Sequence, residues 1–219
     1  MKNACFPFLF LFALLTCTIS YSQVIIPVET TGYAIVLRTD KDNRLSMVYC
    51  GNKLNEAADY KEIAGTYHYS DDNSGIYSNA YTPSGTWSLS EPAIQVTHAD
   101  GNQSLELKYI SHQTTKPDNN TSLTTVHLED PVYKLAVDLF YKTWNRENVI
   151  EQWSTITNNE KGPVILQKYA SANLYFPSKD AYLTSFQGEY LKEMQPNEEK
   201  LLQGIRTIDS KLGTRAMLL

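Results

Sequence analysis

The groups with which this chain could do chemistry are few and scattered. Its four histidines are His68, His98, His112 and His127. They form no HxH, HExxH or comparable ligand spacing, and each falls among ordinary strand residues, so they read as four separate strand histidines rather than a metal site. Cys50 precedes Gly51-Asn52 at a strand end with nothing to activate its thiol, and reads as structural. There is no Gly-rich phosphate loop and no nucleophile elbow. Among the carboxylates, a retaining glycosidase would need two about 5–5.5 Å apart. Glu151 stands two residues from Trp153 on one strand face. There an indole can stack on a sugar while the carboxylate accepts hydroxyl hydrogen bonds, although a polar residue at a sheet rim beside a core Trp is the plainer reading. Glu129-Asp130, before Pro131, read as a solvated turn, and Glu189 and Glu193 fall in strand and turn. No pair stands out as catalytic, and neither a metal nor a cofactor is expected.

The aromatics are less neutral. Tyr occurs 15 times, and Tyr60, Tyr67, Tyr69, Tyr77, Tyr81 and Trp87 crowd the 60–90 region. Exposed on loops, such rings suit sugar faces and protein interfaces. In a strand-rich chain Tyr is also a good strand residue. Trp87 is the best single candidate for a binding role.

The elements that must position these groups are strands. Period-2 alternation sets Tyr133, Leu135, Val137, Leu139 and Tyr141 on one face of a long strand at 132–144. Similar patterns predict strands at 32–38, 44–50, 65–70, 92–98, 104–112, 121–129, 149–157, 164–175 and 181–189. In the strand at 164–175, Val164, Leu166, Ala170, Ala172 and Leu174 share a face. Asp100-Gly101 signals a hairpin turn, since Gly accepts positive φ without a steric cost. Lys116–Asn120 and Asn158–Pro163 are further turns, and 71–91 reads as a long surface loop. Only 54–62 and 197–203 have helical character. With 42% hydrophobic and 20% charged residues the chain is globular. Its formal charge of -5 lacks the basic face that nucleic acid or an anionic membrane requires. Closely spaced strands and turns predict an all-β, antiparallel sandwich.

The first 22 residues are set apart. Lys2 precedes an apolar run from Phe6 to Leu15, and Ser20-Tyr21-Ser22 is a small-x-small cleavage site. The run is shorter than the roughly 20 residues a membrane span needs. Residues 1–22 are therefore expected to be a signal peptide, directing the chain to the periplasm or outside the cell. Lipid attachment at Cys17, within Leu14-Leu15-Thr16-Cys17, fits less well because Thr16 is a poor residue at that position. Cleavage would remove Cys5 and Cys17, leaving Cys50 without an intramolecular disulfide partner. The domain at 23–219, about 197 residues, is long enough to be held by its core alone.

A sequence of blocks then becomes specific. Val149–Asn158 is followed by Gly162-Pro163-Val164, by Tyr169-Ala170-Ser171-Ala172, and by Leu183–Glu193. In this order the blocks resemble the N-terminal domain of glycoside hydrolase family 36, the bacterial α-galactosidases. There a strand ending in T-x-x-N precedes one carrying an A-S-A run. A G-x-W-x-x-E motif comes next, matched here by Gly188, Tyr190 and Glu193 with Tyr in place of Trp. Glu91–Val96 with His98–Asn102, and Asp209–Arg215, resemble further blocks, so the likeness covers most of 24–219. The resemblance implies a β-supersandwich of the galactose mutarotase-like kind, preceding a (β/α)₈ barrel that holds the catalytic aspartates. That barrel is expected to be absent from these residues, so no catalytic residue carries over. Many family members place an Asp on a loop between a Gly and a Pro-Ala pair, reaching toward the sugar. Counting from Gly85 to Pro92-Ala93 puts Ser88 there, with Trp87 beside it as a stacking ring. Trp87 and Ser88 are thus the candidate substrate-binding residues, for an α-galactoside. Two other readings are a free-standing carbohydrate-binding sandwich and an interaction domain that builds a homo-oligomer.

Overall fold

In a computed structural model the described residues are 23–65, 78–85, 90–176, 180–189, 192–202 and 204–209. Residues 66–70 of the strand predicted at 65–70 and the candidates Trp87 and Ser88 lie outside them, as does the segment 1–22, while Gly65 is helical. The chain divides into two units, 1–175 and 176–219.

The first unit contains β1 (Ile25–Glu29), β2 (Tyr33–Thr39), β3 (Leu45–Asn52), α1 (Asp59–Gly65), β4 (Ile94–Thr97), β5 (Lys108–Thr115), β6 (Thr121–Glu129), β7 (Leu135–Trp144), β8 (Val149–Asn158) and β9 (Ile165–Tyr169). All pairings are antiparallel. One sheet has the order β5-β6-β7-β8, another β1-β2-β3, and β4 pairs with β9. The expected all-β sandwich is what forms. The alternation in β7 explains how: Leu135, Val137, Leu139 and Tyr141 are all buried. Opposite them in β6 stand Leu128 against Val137, Val126 against Leu139 and Thr124 against Tyr141. This apolar face joins Ile26 and Val28 of β1, Ile35 and Leu37 of β2, and Leu45 and Met47 of β3 in one core. The other face of β2, Ala34 and Val36, is covered by Tyr60 of α1. Burial on both faces accounts for the unbroken apolar run of that strand.

Several expectations are corrected. β1 is not among the expected strands; its Pro27 is tolerated on a sheet edge. The helix begins at Asp59 rather than 54. In place of a strand at 164–175, β9 ends at Tyr169, and Leu166 and Leu174 are exposed rather than on a shared buried face. The chain beyond β9 turns to meet a tyrosine instead of continuing a ladder, as described below. The positive φ of Lys134 breaks the run at 132–144, so Tyr133 belongs to a turn and not to β7.

The second unit is a hairpin of β10 (Tyr182–Glu189) and β11 (Lys192–Lys200). The helical reading of 197–203 is overturned here. Asn197, Glu198 and Glu199 lie opposite Ser185, Thr184 and Leu183, and cross-strand pairing overrides their helical preference.

Candidate functional site

The residues described around the segment 86–89 form a frame. On its N-terminal side, Met47 N–H donates to the Ser78 carbonyl (2.7 Å) and Ala80 N–H to the Leu45 carbonyl (2.9 Å), tying the segment 78–80 to β3. Tyr81 then plunges into the core; its hydroxyl donates to the Ala170 carbonyl at 2.7 Å. Ser154 Oγ donates to the same carbonyl at 3.2 Å, so β8, the chain after β9 and Tyr81 converge there. Ala93 N–H donates to the Thr82 carbonyl (2.8 Å) and Ser84 N–H to the Ile94 carbonyl (3.0 Å). The two sides of 86–89 are thus hydrogen-bonded to each other. Gly85 has φ of 75°, and a Cβ there would stand 2.7 Å from Ser104 Cα. Only glycine fits, because the obstacle is backbone and not a movable side-chain tip.

Beside Gly85 lies a cavity of about 320 Å³ lined by Asn102, Ser104, Glu106, Asp130, Val132 and Tyr133, among others. Asp130 is buried, which corrects its reading as part of a solvated turn. One carboxylate oxygen accepts the N–H groups of Val132 and Tyr133, both at 2.8 Å. The other accepts Glu106 N–H at 2.8 Å. With three backbone donors, Asp130 fastens the turn after β6 to the strand-like segment before β5. Its sequence signal was available, since Asp directly before Pro is a turn-initiating pair.

His98 is the other residue that changes meaning. It lies just beyond β4, not within a strand. Its side chain is fully enclosed, and Glu160 beside it is 8% exposed. Nε2 donates to the Ser104 carbonyl at 3.0 Å, since a carbonyl can only accept. Nδ1 lies 2.8 Å from Glu160 Oε1, so one proton sits between ring and carboxyl. Tyr133 stacks on the imidazole at 3.7 Å between centroids and 11° between planes. The Tyr133 hydroxyl donates to Asp100 Oδ2 at 3.0 Å and accepts from Asn102 Nδ2 at 2.6 Å. The N–H of Asn102, followed by this hydroxyl, holds the Asp100 carboxyl below its usual range. The network binds the turn at 98–104 to the β8–β9 connection. The two backbones come so close there that a Cβ on Gly162 would lie 2.6 Å from Ala99 Cβ.

The remaining candidates are dispersed. Trp153 stacks on Phe140 across β7 and β8 (5.0 Å, 3°), so one face of its indole is covered. Its neighbour Glu151 is exposed and stands opposite Lys142, whose ammonium lies 4.1 Å above the Trp144 ring. His112 Nδ1 lies 2.7 Å from the Tyr109 hydroxyl, and His127 Nδ1 2.7 Å from Asp138. Of the 60–90 aromatics, Tyr60 and Tyr81 are core residues rather than exposed loop rings. Burial, and then its bond to Glu29, push the Tyr60 hydroxyl up to about 12. Cys50 lies 2.9 Å from the Tyr33 hydroxyl, which that contact raises to about 12. Among the described residues no group of three His, Cys, Asp or Glu side chains could hold a metal. Among the described residues, Asp130, His98 and Tyr81 each bond a backbone group of a neighbouring segment. Chemically, these bonds fasten the described segments on either side of 86–89 to the strands around them.

The model of the glycosyl hydrolase family 36 N-terminal domain matches residues 43–217. Alpha-galactosidase Mel36A of Lactobacillus acidophilus is 29% identical over 148 residues, 61% of this chain and 20% of the relative. Probable alpha-galactosidase G of Aspergillus terreus is 27% identical over 135 residues, 56% of this chain and 19% of its own. The chain therefore spans about a fifth of the length of these curated relatives. Among solved structures, the alpha-galactosidase from Lactobacillus brevis aligns with a TM-score of 0.73 and 20% identity, covering 85% of this chain and 28% of that one. A variant of the alpha-galactosidase AgaA from Geobacillus stearothermophilus, solved with raffinose, aligns with a TM-score of 0.75 and 18% identity, covering 87% and 29%. These structural likenesses show the fold.

Proposed function

Because this chain belongs to the glycosyl hydrolase family 36 N-terminal domain family, we propose that it is the first part of an exported α-galactosidase, without hydrolytic activity of its own. The observation that carries the reading is the family match over 43–217. It is supported by the curated α-galactosidases that the chain resembles, of whose length it spans about a fifth. The catalytic chemistry belongs to a separate barrel in the intact enzyme. Export rests on Lys2, the apolar run and the Ser20-Tyr21-Ser22 site. Trp87 and Ser88 supply contacts to the α-galactoside from the segment that the frame around Gly85 and Tyr81 bounds. A sugar ring stacks on an indole face, and the serine hydroxyl exchanges hydrogen bonds with sugar hydroxyls.

One sample tests both parts. The purified chain is incubated with an aryl α-galactoside and, separately, titrated with raffinose while Trp fluorescence is followed. No turnover is expected, together with a saturable fluorescence change that disappears in Trp87→Ala. Clear turnover would sink the claim that another domain supplies the catalysis. A flat titration, or one that Trp87→Ala leaves unaltered, would remove the sugar contact and leave a scaffold.

A further inference from the structure

Three turns of the first unit are stapled together. Thr30 and Thr31, between β1 and β2, donate their hydroxyls to Asn148 Oδ1 (2.5 Å) and to the Asn145 carbonyl (2.9 Å), and Gly32 N–H donates to Asn148 Oδ1 at 3.0 Å. Asn145 and Asn148 lie between β7 and β8. The turn between β5 and β6 is bonded to the same loop. Asn145 N–H donates to the Asn120 carbonyl and Arg146 N–H to Asn120 Oδ1, both at 2.8 Å, and Asn120 Nδ2 donates to Glu147 Oε2 at 2.8 Å. Asp118 stiffens this turn by accepting the N–H groups of Asn120 and Thr121 at 2.7 Å. Residues of all three turns wall a cleft of about 870 Å³. Ligand sites span about 300–1,000 Å³, and walls fixed in advance spare a ligand the cost of ordering them.

The floor of the cleft lies where the apolar alternation of the sheet gives way to hydroxyls. The inward positions of β7 read Leu139, Tyr141, Thr143, and those of β6 read Val126, Thr124, Ser122. β5 adds Thr114, opposite Thr124. Thr143 and Thr124 are 1% and 3% exposed. Valine has nearly the shape of threonine and suits a strand as well, so packing alone does not call for these hydroxyls. Buried hydroxyls are costly unless hydrogen-bonded. Thr114 and Thr124 bond each other at 2.9 Å, which engages one of their two protons. Thr143 Oγ1 reaches the Ser122 carbonyl only at 3.5 Å, the outer limit of a hydrogen bond. Each hydroxyl also keeps acceptor lone pairs. The floor carries no charge, and of the charged groups in the lining Lys53 and Glu29 neutralise each other at 3.4 Å. A ligand that fits is neutral and exchanges hydrogen bonds with hydroxyls for those of water.

We propose that this cleft binds a short neutral oligosaccharide, with Thr114, Ser122, Thr124 and Thr143 as its hydrogen-bonding floor. Neither Trp87 nor Ser88 lines it, so the site stands whether or not the chain is part of a larger enzyme. Among the described residues its lining holds no aromatic ring to stack on a sugar face. Affinity therefore rests on hydrogen bonds, and a millimolar Kd is expected. An NMR titration of the full chain carrying Trp87→Ala, with raffinose and separately with maltotriose, tests this; the substitution silences any contact through that indole. Saturable shifts are expected at the amides of the four floor residues with at least one of the sugars. Ser122→Ala and Thr143→Val each remove one hydroxyl at near-constant volume, and each should raise that Kd about fivefold. Urea unfolding reads any loss of stability separately. Ser122 is only partly buried, so its variant carries the test should Thr143→Val loosen the sheet. Floor amides that do not shift with either sugar, or a Kd that Ser122→Ala leaves unchanged, overturn the proposal.

Discussion

Glu160→Ala is expected to destabilise the fold by about 3 kcal/mol, or roughly 6–12 °C in melting temperature for a domain of this size. The cost does not come mainly from Glu160, whose side chain is 8% exposed. It comes from His98, fully enclosed, whose Nδ1 would lose the Glu160 partner that stands 2.8 Å away. Removing one member of a buried polar pair leaves the other desolvated and unsatisfied. His98→Leu alone removes both ring hydrogen bonds but leaves no unpaired nitrogen, although the Glu160 carboxyl then loses its partner. The double variant Glu160→Ala/His98→Leu should therefore recover part of the loss, and the recovery measures the coupling. A Glu160→Ala protein within 0.5 kcal/mol of the parent would show that the pair is bystander to stability, since that is the range of ordinary surface substitutions.

Tyr81→Ala is expected to cost about 4 kcal/mol. The ring is among the largest fully buried side chains, and its hydroxyl reaches the Ala170 carbonyl that Ser154 also uses. Tyr81→Phe keeps the ring volume and loses one hydrogen bond, so about 1 kcal/mol is expected. The gap between the two variants separates packing from the hydroxyl. Urea unfolding with an unchanged m-value would confirm that the folded state carries the effect. If Tyr81→Ala costs less than 1 kcal/mol, then Tyr81 does not anchor the segment leading to residue 86.

The strands were largely legible because their faces differ. In β7 the alternation of Leu135, Val137, Leu139 and Tyr141 is a burial pattern written directly in residue types, and the structure buries them as expected. Legibility failed where a residue's role depends on a distant partner. Glu198 and Glu199 have helical preferences and lie in a strand because β10 is opposite. His98 looked like one more strand histidine, and nothing local announces Glu160, 62 residues away. Asp130 looked like a solvated acid before a proline; its third donor, Glu106 N–H, arrives from 24 residues upstream. The resemblance carried the family but placed its two sugar-contact candidates, Trp87 and Ser88, on a stretch outside the described residues. What the structure contributes there is the frame on either side.

The arrangement of strands also sets an order of events. In the sheet β5-β6-β7-β8 each strand lies beside its neighbour in sequence, so each closure spans a short loop and little chain entropy is lost before contacts reward it. The pairing of Ile94 with Tyr169 is the opposite case, joining residues a third of the chain apart. As the chain leaves the ribosome the meander can assemble once residue 158 is free, whereas β4 must wait for β9. The Tyr81–Ala170 and His98–Glu160 contacts wait with it. These late fasteners are then absent from the folding transition state. Weakening them would shorten the lifetime of the folded protein while leaving the rate of its formation nearly untouched.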